Sequence, residues 1–178
     1  MDAAIGGPLF PRAAGDGFAD LPPSVRALHL RQGRQRYAGQ VEVERGKGWL
    51  ARLFAAATRL PPAGRGPLLV EIDADARGER WVRHIGGRRM PSRLWFRDGL
   101  LCEQLGLARF GFRLDVEGGA LAWRVARVHA LGIPLPLSWF GEVRARESEQ
   151  DGRYRFDVRA VLPGVGLLVH YRGWLDVG

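Results

Sequence analysis

The chain has 178 residues, is 46% hydrophobic with six Trp and eight Phe, and carries a net charge of +8. That is enough apolar material for one domain with a real core, and it excludes intrinsic disorder over most of the length. No apolar run approaches the roughly 20 residues that span a bilayer, and a lone cysteine, Cys102, excludes an internal disulfide or a multi-cysteine metal site.

Lys47 is the one lysine among 27 basic residues. Arginine-rich, lysine-poor usage is the expected outcome of a GC-rich coding genome, which points to a bacterial source. The arginines are spread along nearly every segment and alternate with apolar residues instead of forming one run. No specific nucleic-acid partner is therefore expected. The N-terminus lacks a basic stretch followed by an apolar core, so no secretory signal is expected. With the single cysteine, this places the protein in the cytoplasm.

Residues 1–17 are rich in Gly and Pro, show no periodicity and read as a flexible leader to a single β-rich domain over 18–178. Asp20 followed by Pro22 and Pro23 starts a short helix from Pro22 to about Arg31, with Val25, Leu28 and His29 turned inward. Gly33 ends it. Tyr37–Arg45 alternates as a first strand, with Val41 and Val43 on one face. Trp49–Leu60 has helical spacing, with Trp49, Leu50, Leu53, Phe54 and Ala57 in one stripe, and Pro61-Pro62 stops it. That helix reads as a lid packed on the sheet, or else as an amphipathic helix facing a membrane or a partner.

Strands then follow in series: Leu68–Ala76, Arg80–Ile85, Arg88–Arg97, Leu100–Leu105 and Arg109–Glu117. The last two could form one strand bent at Gly106. Between Arg109 and Glu117, Phe110, Phe112, Leu114 and Val116 share one face. Gly118-Gly119 supplies the positive φ angles of a tight hairpin. Leu121–Leu131, Trp139–Gln150, Tyr154–Leu162 and Val165–Val177 complete the set, and Pro134 and Pro136 demand a loop or an edge. So many hairpin-linked strands curl or close. The expected fold is mainly β, an antiparallel meander of about 8–10 strands in a strongly curved sheet or barrel, with two short N-terminal helices. A two-sheet sandwich is the alternative.

Several short pieces form a specific set. They include Pro22-Pro-Ser-Val-Arg-Ala-Leu-His, Val43-Glu-Arg-Gly, Leu60-Pro-Pro-Ala-Gly, Glu79-Arg-Trp and Gly86-Gly. Arg109-Phe, Val116-Glu-Gly-Gly, Leu131-Gly-Ile-Pro-Leu-Pro, Asp151-Gly-Arg-Tyr-Arg-Phe-Asp-Val and Tyr171-Arg-Gly-Trp-Leu continue it. On these, the chain from Phe18 to Asp176 resembles the bacterial domain-of-unknown-function family numbered 4166. Members of that family also occur fused behind saccharopine-dehydrogenase-like, dinucleotide-binding domains. The resemblance thus implies an oxidoreductase as a possible partner protein. It transfers no catalytic residue. No Gly-x-Gly-x-x-Gly opens a βαβ unit in this chain, so no NAD(P) cofactor is expected.

His29, His84, His129 and His170 stand on separate elements without metal-ligand spacing. Ser24, Ser92, Ser138 and Ser148 lack a nucleophile elbow. Cys102 reads as a buried, inert thiol. The pairs Glu147/Glu149 and Asp73/Asp75 read as solvated faces opposing arginines, with acid–base work as the alternative. In the last strand, Leu167, Val169, Tyr171 and Leu175 share one face, and Leu168, His170, Arg172, Trp174 and Asp176 share the other. The second face is ordinary for a solvent side. It also suits a barrel interior in which arginine takes an acidic head and apolar walls take a tail. Arg155, Arg159, His170, Arg172 and Trp174 are then the candidate ligand-binding residues. The leading expectation is a non-catalytic binding module for a small amphipathic or lipid-like ligand held between sheet and helix. An accessory domain working beside an oxidoreductase is the second expectation, and an enzyme with an unrecognised site is the third.

Overall fold

The computed structural model describes residues 7–178. Eleven antiparallel strands combine with three short helices, two before β1 and one between β1 and β2: β1 (Gly33–Arg45), β2 (Gly64–Asp75), β3 (Gly78–Ile85), β4 (Arg88–Arg97), β5 (Leu100–Leu105), β6 (Ala108–Glu117), β7 (Ala120–Ala130), β8 (Ile133–Pro134), β9 (Glu142–Gln150), β10 (Arg153–Leu162) and β11 (Gly166–Leu175). The helices are α1 (Leu9–Ala14), α2 (Pro23–Leu30) and α3 (Trp49–Ala57), with 3₁₀ turns at Gly15–Asp20 and Leu137–Phe140.

The strands pair as a meander from β1 to β7, then β7 with β9, β9 with β10, β10 with β11, and β11 back with β1. This closes a ring of ten strands, with the two-residue β8 hanging off β7. The sandwich alternative is set aside, because β6 and β7 pair over their whole length instead of parting into two sheets. Closure leaves no long unpaired edge. Register shifts between Gly111 and Phe112 and between Ala160 and Val161 supply local bends.

Alternation sorts the side chains. Val41 and Val43, Val70 and Ile72, Leu114, Trp123 and Tyr154 lie in the buried core, while Gln40, Glu44 and Asp73 point to solvent. Gly118 and Gly119 take φ of 55° and 71°, as the β6–β7 hairpin requires.

Three expectations are corrected. The leader expected over 1–17 is folded from Leu9 on: α1 places Phe10, 0% exposed, in the core. A Phe–Pro pair in the first turn of a helix buries well without long periodicity. Residues 1–6 of that leader lie outside the described residues. Trp139 sits in the 3₁₀ turn rather than in a strand, and β9 begins at Glu142. On α3 the buried stripe is Ala51 and Ala55, and Trp49 and Leu53 face outward. Small residues let the helix sit close against β11, with the Gly46 N–H donating to the Leu168 carbonyl beside it at 3.4 Å.

Strand direction gives the barrel two distinct ends. The start of β1 and the β2–β3, β4–β5, β6–β7 and β9–β10 turns mark one end, where α1 and α2 pack. The end of β1, α3 and the β3–β4, β5–β6, β7–β8 and β10–β11 turns mark the other.

Candidate functional site: the barrel interior

Inward parity on the strands collects polar groups as well as apolar ones. Trp81, Arg83 and Ile85 of β3 share parity, and so do Val143, Ala145 and Glu147 of β9. Apart from Val143, they line an interior cavity of about 80 Å³ together with Leu68, Val70, Phe112, Trp123, Phe156, Val158 and Leu175. Glu103, Tyr154 and Tyr171 also face it. The wall is mainly apolar and aromatic with a few polar groups, the usual make-up of a small-molecule site.

Two side-chain contacts engage the two acids of the wall. Arg83 donates through one terminal nitrogen to the Ser92 hydroxyl at 2.9 Å and through the other to Glu103 at 3.4 Å. Its guanidinium lies 4.9 Å from the Trp81 ring centre. Across the barrel, Nε2 of His29 on α2 lies 2.5 Å from a Glu147 oxygen. The His29 ring stacks 3.5 Å from Phe10 of α1. Phe10 in turn reaches Trp123 at 5.5 Å. The two N-terminal helices thus plug one mouth with an aromatic stack whose polar edge is tied to the barrel wall.

The phenols are held protonated. Burial, with the Glu147 carboxylate adding to it, pushes Tyr154 well above the ordinary phenol range. Burial pushes Tyr171 up to about 12, against the pull of Arg83. Glu79 lies deeper, next to the plug, and accepts a 2.7 Å hydrogen bond from the Trp81 indole N–H. Burial raises its carboxyl, and His29 opposes that. The Trp123 indole N–H is buried without a hydrogen-bond partner among the described residues. No group of three or more His, Cys, Asp or Glu among the described residues could hold a metal ion. Cys102 is buried, and burial raises its thiol.

The structure places the five expected ligand residues on the outer surface. Arg172 pairs with Glu42 and Glu44, both at 3.3 Å. His170 meets Asp157 at 2.9 Å. Trp174 lies under the Arg153 guanidinium at 4.5 Å. Arg155, Arg172 and Trp174 share an outer groove, and Arg159 is exposed beside them on β10. The inward face of β11 is instead that of Val169, Tyr171 and Leu175.

The Glu147/Glu149 pair also departs from the solvated reading. Glu147 is buried inside, and Glu149 accepts the Ser24 N–H at 2.8 Å. The signal for Glu147 was its shared parity with Val143 and Ala145, an apolar phase in a strand otherwise full of charge. Asp73, by contrast, faces solvent and pairs with Arg34 at 3.5 Å.

A family model described as "Domain of unknown function (DUF4166)" matches residues 21–175. No curated protein matches the chain. Among solved structures, the crystal structure of Rv2717c from M. tuberculosis is similar over 88% of this chain and 98% of that chain, at 13% identity and a TM-score of 0.44.

Proposed function

Because the chain belongs to this DUF4166 family, whose description assigns no activity, we propose a function from the barrel itself: it binds a small, largely apolar molecule that ends in a carboxylate or carbonyl group. The cavity carries the reading. Its wall is aliphatic and aromatic, and its polar groups are unevenly used. Glu103 and Glu147, the acceptors, already face Arg83 and His29. The Tyr171 phenol stays protonated at neutral pH, and the Trp123 N–H lacks a partner. A ligand that supplies an acceptor completes this set, and a ligand that supplies another donor does not.

His29 stands behind Glu147, with no exposed side-chain surface, and does not line the cavity. Its position fits a clip between plug and barrel better than a proton shuttle to a substrate. The binding reading is therefore preferred to acid–base catalysis at this site.

Native mass spectrometry of the purified protein, followed by denaturing extraction, tests for a co-purifying ligand. Titration with anilinonaphthalene sulfonate, an apolar anion, gives a second readout. Trp81 and Trp123, both on the cavity wall, provide the fluorescence signal. The expected result is one molecule per barrel, with affinity falling about tenfold in Tyr171→Phe, which removes one hydroxyl donor. Absence of both a bound mass and a saturable signal overturns the reading.

A further inference from the structure

On a helical wheel, Trp49, Arg52, Leu53 and Ala56 of α3 share one side, opposite Ala51 and Ala55. The alanines are buried, and Trp49 and Leu53 are 74% and 60% exposed. A helix that hides its small residues and shows its large ones has its apolar side turned toward something else.

This side does not stand alone. The Leu107 N–H in the β5–β6 turn donates to the Ala57 carbonyl of α3 at 3.0 Å. The Leu131 N–H in the β7–β8 turn donates to the Leu107 carbonyl at 3.1 Å. Helix and turns therefore form one continuous rim. Leu107, Leu131 and Ile133 are exposed along it, and Leu137 and Trp139 follow in the next turn. Among the described residues, eight large apolar side chains are exposed, and all but Leu30 belong to this end of the barrel.

The rim is also the cationic pole. The segments that build it are 45–66, 84–91, 104–110, 126–142 and 161–168. They contain nine arginines and lysines and one acid, Glu142. Acids outnumber bases in the segments around the plugged end, where Asp16, Asp75, Asp98, Glu117 and Asp151 lie. Beside α3 runs a trough lined by Arg45, Arg52, Arg59, Arg88 and Arg89, with Ala55, Ala56 and Leu60 between them and no carboxylate. Arg45 is occupied by the Pro61 carbonyl at 2.7 Å. Among the described residues, Lys47, Arg52, Arg59, Arg88 and Arg89 have no carboxylate within 4.0 Å.

We propose that this end of the barrel docks on the surface of an anionic phospholipid bilayer. Trp49, Leu53, Leu107 and Leu131 enter the headgroup boundary, and the arginine trough seats a headgroup phosphate. Charge complementarity selects this occupant. The apolar side chains are spread over four separate segments with unpaired cations between them. A fluid anionic interface meets all of them at once. Trp at the headgroup level is its favoured depth. The proposed contact is peripheral, made by the side chains of one end of the barrel. The surface is separate from the barrel cavity, and the proposal does not rest on the cavity holding a ligand.

The test is co-sedimentation of the full chain with vesicles of phosphatidylcholine alone and of phosphatidylcholine with phosphatidylglycerol. Binding is expected to the second only, weakening as salt rises and accompanied by a blue shift of tryptophan emission. In Trp49→Ser/Leu53→Ser the partition coefficient falls at least about tenfold, since two apolar anchors are lost. Arg52→Glu/Arg59→Glu abolishes the preference for anionic vesicles. All four positions are exposed, so circular dichroism should match the parent. The proposal is overturned if anionic vesicles do not bind the parent at low salt, or if the Ser pair binds as well as the parent. It is equally overturned if the parent is a dimer that the Ser pair makes monomeric, which would make the rim an interface between copies. The ligand titration in the cavity is read without vesicles, so either result stands without the other.

Discussion

Nε2 of His29 lies 2.5 Å from Oε2 of Glu147, inside the barrel and across 118 residues of chain. Both side chains are almost wholly removed from water. A buried pair of this kind stabilises little relative to an apolar pair of similar shape, but removing one partner leaves the other uncompensated. His29→Ala strands the Glu147 carboxylate against Phe156 and Leu121, the residues opposite it on β10 and β7. A loss of about 3–5 kcal/mol is expected in chemical denaturation. His29→Leu with Glu147→Leu should recover most of it. If the double variant is no more stable than the sum of the singles predicts, the two groups do not act as a pair.

Glu79 gives the fold a pH dependence. Burial holds its carboxyl above the ordinary range, with His29 and the Trp81 N–H pulling it down and Glu147 adding to the rise. The folded state therefore binds the proton more tightly than the unfolded chain. Its contribution is full below the unfolded value and is lost as pH rises through the folded one. Stability should fall across that window, from the ordinary carboxylate range upward. Glu79→Gln keeps an acceptor for the Trp81 N–H and cannot ionise. Urea midpoints measured against pH should flatten in this variant, and a slope equal to the parent's would refute the assignment.

Much of this architecture is written in the strand pattern, and the limits are physical. Phe110, Phe112, Leu114 and Val116 alternate so regularly that the inward face of β6 follows from period two. The pairing of β11 with β1 does not, because closure depends on the register of strands far apart in the chain. On β11 the alternation separates Tyr171 from Arg172, but the pattern is symmetrical about which face is inside. Tyr171 is drawn in by Val43 and Val158 opposite it, and Arg172 is drawn out by Glu42 and Glu44. The partner of Glu147 comes from α2, and no local spacing records a contact made over that distance. The face of α3 was equally hidden: five apolar residues at helical spacing allow two stripes, and closeness of approach favours the one made of alanines.

One row of like charges crosses the outer wall. Arg124 of β7 stands directly opposite Arg113 of β6 and Arg144 of β9, and Arg144 stands opposite Arg159 of β10. Arg124 is relieved by Asp115 at 3.5 Å and by Glu117. Directly opposed like charges on neighbouring strands are unfavourable. Arg144→Glu places an acid between two arginines and should stabilise the barrel by about 0.5–1 kcal/mol at low salt. The gain should shrink as salt rises, because the positions are exposed. Thermal melts at two ionic strengths check both the sign and the salt dependence.

Gly173 marks a tight place in the wall. A Cβ there would lie 2.0 Å from the Gln40 carbonyl oxygen of β1 and 2.8 Å from Cζ of Phe156. The first contact is with backbone that is itself held in the ladder opposite Trp174, so it cannot yield without parting β1 from β11. Those two strands are the seam that joins the first and last parts of the chain. Gly173→Ala should therefore cost about 1–3 kcal/mol through overpacking. It should also speed hydrogen exchange along β1 and β11 more than along β4 and β5. Phe156→Leu in the Gly173→Ala background removes the ring but not the carbonyl contact. Little recovery is then expected. Full recovery would show that the ring, and not the seam, sets the need for glycine.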